Sequence, residues 1–242
     1  MRMFAFAQRC TKEILRDGIN LLFGLGFPVA LLLLLSAIQA NVPVALFEIE
    51  RLTPSIAVFG LSFMTLFSAT LIAKDRESSL LQRLYTTPLK PYDYILGYAL
   101  PIIPMAMAQS VVCYLVGIIL GLPISINIVY AVLMIIPIAI FYIALGLLCG
   151  SVLNVKQVAG ICGGLLTNLS AWLSGAWFDL ELVGGVFAKI ANVLPFIHAV
   201  EVEREMINGE FLQALLHLCP VFGYAVVLGI GAILFFLRQM KK

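Results

Sequence analysis

Charge is what this sequence most lacks. Lys, Arg, Asp and Glu make up only 12% of its 242 residues, while 62% are hydrophobic. A chain that must solvate its whole surface carries about a quarter charged residues, so this composition describes an integral membrane protein. The net charge of +2 is too small to recommend nucleic acid as a partner.

Other absences narrow the chemistry. No G-x-x-x-x-G-K-[ST] phosphate loop occurs, so ATP is not held by that device. No nucleophile elbow or paired-carboxylate pattern is present, and no catalytic residue is expected. The two histidines, His198 and His217, lie far apart without metal-ligand spacing, so no metal is expected. Five cysteines (Cys10, Cys113, Cys149, Cys162 and Cys219) form no CxxC pair and read as small core residues. No titratable side chain falls in the centre of an expected span, which weakens ion-coupled carriers and proton pumps. No cofactor is expected on this chain, and any uphill movement must draw its energy from a partner.

What is present is a series of apolar runs. About 20 apolar residues cross the roughly 30 Å hydrocarbon core as a helix. This criterion places spans near 19–39, 55–73, 99–120, 128–149, 158–178 and 212–237 in a single transmembrane domain covering 1–242. The fold expected is all-α, with six transmembrane helices; strand alternation is absent. The first run exceeds a signal-peptide h-region and is expected to be retained.

Six spans put both termini on one side. That side collects Arg2, Arg9, Lys12, Arg16, Lys74, Arg76, Arg83, Lys90, Lys156, Arg238, Lys241 and Lys242, against Arg51, Lys189 and Arg204 on the other. The positive-inside rule makes the first side cytoplasmic.

Between the spans, residues 1–17 interleave charge with Met3, Phe4, Phe6, Ile14 and Leu15 and suit an N-terminal interfacial helix. Residues 182–200 are apolar but broken by Gly184, Gly185 and Pro195, which suits an extracytoplasmic re-entrant hairpin between spans five and six. Glu201, Glu203 and Glu205 around Arg204 read as a solvated acidic face, with a metal or cationic-substrate site as the alternative. Gly117-x-x-x-Gly121, Gly146-x-x-x-Gly150 and Gly160-x-x-x-Gly164 permit close helix approach, within a subunit or between subunits.

The most patterned polar stretch is 74–97. Leu80, Leu81 and Leu84 form an apolar strip at helical spacing, and Thr87-Pro88 stops that helix. Pro91 can open a second helix, with Asp93 in its first turn, that enters span three. A short amphipathic helix joined to a span through a rigid turn suits docking into a groove of a cytoplasmic partner.

The run Arg76-Glu77-x-x-x-Leu81-x-Arg83-Leu84-x-x-Thr87-Pro88-Leu89 resembles the cytoplasmic pattern of type 2 ATP-binding-cassette (ABC) exporter permeases, close to RE-x-G-T-L-E-R-L-x-x-TPL. Ser79, Leu80 and Gln82 depart from it. The resemblance extends to the cationic interfacial helix, Pro28, Gly175, Pro195 and the Arg204–Gly209 segment. It implies a permease without its own ATP site, paired with an identical or related second permease and with a separate ATPase dimer that holds ATP and Mg. It implies that Arg76, Glu77, Leu81, Arg83, Leu84, Thr87 and Pro88 form the ATPase-coupling helix, and that spans two and five line the cargo path through Phe63, Phe67, Asn168 and Trp172. The expected setting is a multi-pass protein of a bacterial plasma membrane, in contact with lipid. The cargo expected is hydrophobic or amphipathic (a drug, antimicrobial peptide or lipid), with a polysaccharide or glycolipid as the alternative. A non-transporting scaffold is the reading from another class, followed by a secondary carrier.

Overall fold

The computed structural model describes residues 2–42, 47–78, 91–178 and 180–240, and among them it is helical with no strand. Helix α1 (Arg2–Arg16) turns Phe6, Ala7, Cys10 and Ile14 inward. These positions recur every three to four residues, and that periodicity lays one face of α1 on the bundle.

Helix α2 (Gly18–Gln39) starts on Asp17, whose carboxylate accepts the Asn20 amide at 3.3 Å. It contains π-helical turns over Leu22–Gly26, just before Pro28. Helix α3 (Ile49–Glu77) is the central helix: 89% of its most apolar window is buried, against 22% for the last span. Helix α4 (Pro91–Ala99) opens on Pro91 and is interrupted at Leu100 and Pro101 before α5 (Ile102–Ile119). Helix α6 is Asn127–Val152, and α7 follows at 155–173 as a continuous helical path with π-helical turns over Ala159–Leu166.

Short helices α8 (Leu180–Val183), α9 (Gly185–Val193) and α10 (Pro195–Asn208) precede the long α11 (Phe211–Met240). Among the described residues five helical stretches are each long and apolar enough to cross a membrane: α2, α3, α4 with α5, α6 and α11. Helices α9 and α10 meet at 76°, a bend that fits either a broken span or a re-entrant loop.

Contacts decide between the two. Arg204 of α10 reaches Ser55 near the start of α3 and the carbonyl of Gly175 just past α7. Asn127, at the start of α6, donates to the Ile207 carbonyl near the end of α10. The segment between α7 and α11 therefore enters and leaves at one end of the bundle, as a re-entrant hairpin. At the other end Phe6 of α1 packs on Tyr94, which packs on Phe236 of α11 at 5.7 Å. With Val155 held at the α1 end and Gly175 at the opposite one, α7 also runs the length of the bundle.

Helix α7 ends at 173, short of the expected 178, because the chain turns at Gly175 with φ +67°, a left-handed conformation that a side chain resists. Helix α3 begins earlier than hydropathy placed it, since Glu50 and Arg51 occupy its first turns.

Close packing joins α3 to α6. A Cβ at Gly150 would stand 2.6 Å from the Ala69 carbonyl, and one at Gly146 would strike Ser68 and the Thr65 carbonyl. Thr65 Oγ1 donates to the Tyr142 carbonyl at 2.8 Å across the same seam. Gly160 and Gly164 have nothing within 4 Å of such a Cβ. A Cβ at Gly117 would meet the Thr53 side chain at 2.7 Å, so two of the three glycine pairs have a member that serves packing within the chain, and the third faces outward. Gly150→Val is expected to lower the thermal unfolding midpoint in detergent by the equivalent of about 1–3 kcal/mol of overpacking. Gly160→Ala is expected to leave the midpoint unchanged or slightly raised.

Candidate coupling site

The last described turn of α3 reads Lys74-Asp75-Arg76-Glu77. An α-helix turns once every 3.6 residues, so four consecutive side chains point around its whole circumference. Each meets a different neighbour. Lys74 Nζ lies 3.2 Å from Asp17 Oδ2, at the start of α2. Asp75 accepts both terminal nitrogens of Arg9 on α1, and Tyr98 Oη of α4 donates to it at 2.8 Å. Arg76 donates to the Ser151 and Leu153 carbonyls, and Glu77 Oε1 accepts the Val155 amide at 2.9 Å.

The Arg76–Glu77 pair matches the polarity of what it holds. Helix α6 ends with carbonyls that no intrahelical amide can reach, and α7 begins with amides in the same position. A cation at a helix C-terminus and an anion at an N-terminus each oppose the local partial charge. Asn154 and Gln157 complete the α7 start as a reciprocal capping box. One turn of α3 therefore contacts α1, the start of α2, α4 and the α6–α7 connection.

Asp75 is 1% exposed, so its charge has lost water and depends on its partners. The Asp75 hydrogen bond and charge hold the Arg9 guanidinium pKa above its ordinary range, against burial. Arg9 also meets Glu13 Oε2 at 2.7 Å, and burial raises the Glu13 carboxyl. Beside them, burial pushes the Cys10 thiol up to about 12.

The candidate residues are distributed unevenly. Arg76 and Glu77 belong to the end of α3 and turn toward the α6–α7 connection. Leu81, Arg83, Leu84, Thr87 and Pro88 lie outside the described residues. Phe63 and Phe67 are buried behind α2: Phe63 packs with Phe23, Phe27 and Phe59 at 5.8–6.5 Å, and Phe67 packs on Gly24. Asn168 and Trp172 are exposed on α7, with the Asn168 amide donating to the Gly164 carbonyl at 2.8 Å. The four residues assigned to a cargo path are therefore not brought together within one chain.

Sequence reasoning missed Arg9, Asp17, Asp75 and Tyr98. The available signal was an acidic residue between Lys74 and Arg76 at the end of an apolar run, with Arg9 and Glu13 four apart on α1. At the opposite end, Glu203 is not part of a solvated face: it is fully buried, and Tyr114 donates to its Oε2 at 2.6 Å. His198 and His217, read as unrelated, stand with their Nδ1 atoms 3.0 Å apart.

A family model described as ABC-2 type transporter matches residues 1–208. The chain belongs to the ABC-2 type transporter family. It is thus a multi-pass membrane protein and a permease component of an ABC transporter, a role that implies partnership with an ABC ATPase. Comparison of this permease with curated proteins returns no match.

The raised Cys10 pKa sets a pH dependence. A thiol whose pKa climbs from 9.0 unfolded to about 12 folded adds stability below pH 9, and that stability is lost as pH rises toward 12. With Cys10 as the single cysteine, maleimide labelling of the folded permease at pH 7.5 is expected to be at least tenfold slower than after denaturation. Asp75→Asn, which releases the grip on α1, is expected to accelerate labelling of the native protein.

Proposed function

We propose that this permease is the membrane half of an ATP-driven exporter and that residues 76–88 couple it to the ATPase. The observation that carries the reading is the polar cluster at the end of α3, which directly precedes residues 79–90 in the chain. A push on residues 79–90 would reach Lys74–Glu77, and through them α1, α2, α4 and the α6–α7 connection. Rigid, hydrogen-bonded contacts transmit displacement better than a flexible tether.

The α1 end carries most of the Lys and Arg residues, and we assign it to the cytoplasm, with both termini there. ATP and Mg then belong to the partner ATPase, which docks on the apolar strip of Leu81 and Leu84. Arg83, Thr87 and Pro88 shape the docking segment and its turn, and Arg76 and Glu77 relay its motion.

The exposed face of α7 is the proposed meeting surface with a second permease, identical or related. An amide such as Asn168 is costly against lipid tails, so a protein or watered neighbour suits it better. Trp172 shares that face, while Phe63 and Phe67 join the path only when α2 moves aside. The π-helical turns in α2 and α7 are local weak points where such movement can occur. An uncharged, apolar path favours a hydrophobic or amphipathic cargo, moved out of the cytoplasm or inner leaflet of a bacterial plasma membrane.

Leu81→Asp combined with Leu84→Asp is expected to abolish co-purification with the ATPase while the permease still inserts and elutes as a single species. Retention of the ATPase at wild-type yield by the correctly inserted double variant contradicts the docking assignment.

A further inference from the structure

The histidine pair sits where the re-entrant hairpin meets the last span. His198 is in the first turns of α10, and His217 is in the second turn of α11. Their rings are 5.2 Å apart between centroids and tilted by 32°, and the two Nδ1 atoms face each other at 3.0 Å.

The hydrogen bonding fixes which nitrogen of His198 is available. Its Nε2 lies 3.0 Å from the Asn192 carbonyl oxygen, which can only accept, so Nε2 carries the proton. Neutral His198 therefore presents the Nδ1 lone pair toward His217. Donation of the remote ring N–H to a backbone carbonyl is the arrangement that orients metal-ligating histidines and raises their basicity.

We propose that His198 and His217 bind a divalent first-row transition cation, with Zn2+ as the representative, through their Nδ1 atoms. At Zn–N bonds of 2.0–2.1 Å and a tetrahedral angle, two ligand nitrogens stand about 3.4 Å apart. The pair needs to open by only about 0.4 Å on that geometry. For both rings to ligate, His217 adopts the tautomer with its proton on Nε2.

Glu201 lies three residues, just under one turn, beyond His198 and lines a recess of about 390 Å3 together with His217, Arg51 and Arg204. Its Oε1 holds Arg204 at 2.7 Å, so the two histidines are the protein ligands and Glu201 acts through its charge. That ion pair also offsets the Arg204 charge, which would otherwise oppose a cation there. Among the described residues no three His, Cys, Asp or Glu side chains form a closed ligand set, so water completes the coordination. A cation here ties the hairpin to α11.

The test uses the purified full-length permease, with neither ATPase nor cargo. Zn2+ is titrated against a chromophoric chelator, and the thermal midpoint is followed in parallel. The expected result is one more Zn2+ bound per protomer than in His198→Ala or His217→Ala, with affinity at least tenfold weaker in each variant. His217→Gln, which keeps an amide able to hydrogen-bond to His198, is expected to fold as wild type without added metal and still lose the Zn2+-dependent rise in midpoint. Equal Zn2+ binding by wild type and all three variants, or no Zn2+-dependent rise in the wild type, overturns the proposal.

Discussion

The Asp75 carboxylate is the constraint on which the rest of this end of the molecule depends. It ends the most buried helix of the bundle, out of reach of bulk water, and an ionised carboxylate so placed costs several kcal/mol unless it is paired and hydrogen-bonded. Arg9 supplies a two-pronged partner and Tyr98 a third donor. Satisfying one charge thus fixes the amphipathic helix α1 and the re-entry helix α4 against α3. Once α3 is held there, Arg76 and Glu77 are aimed at the unsatisfied carbonyls and amide where α6 hands over to α7. The opposite end has a counterpart in Arg204, which joins the hairpin to the start of α3 and to the residue after α7.

Local pattern made much of this fold legible. The apolar runs, the helix over residues 2–16 and the opening of α4 on Pro91 follow from hydropathy, periodicity and proline geometry, each confined to a few neighbouring residues, whereas the inward face of α1 takes in Ala7 and Cys10 and leaves Phe4 and Leu15 exposed. The seam between α3 and α6 was foreshadowed by Gly146 and Gly150, but only contacts could show that Gly160 and Gly164 face outward. The early end of α7 was hidden because Ala176, Trp177 and Phe178 continue the apolar run past the point where Gly175 turns the chain. The π-helical turns left no distinct periodic trace.

The candidate site was legible by position more than by role. The 74–97 stretch stood out, yet Asp75 had no role and Arg76 and Glu77 were grouped with the docking helix. Their partners lie at Arg9, Tyr98, Ser151, Leu153 and Val155, across distances in sequence that no window spans. Glu203 and the histidine pair escaped for the same reason: a residue read beside its neighbours looks solvated or solitary, and tertiary contact alone buries or pairs it.

Under the proposed coupling, the cluster at the foot of α3 has a clear use: a permease that borrows energy from an ATPase needs a stiff connection between the docking segment and the helices that must move. The most direct test places a spin label at Trp172→Cys, in a background lacking the other cysteines, within the reconstituted permease–ATPase complex. The distance between labels on two permeases is then measured with and without ATP. The account predicts an ATP-dependent change in distance that disappears when Arg76→Ala and Glu77→Ala are combined, although the ATPase stays bound. An ATP-dependent change of the same size in that double variant contradicts it.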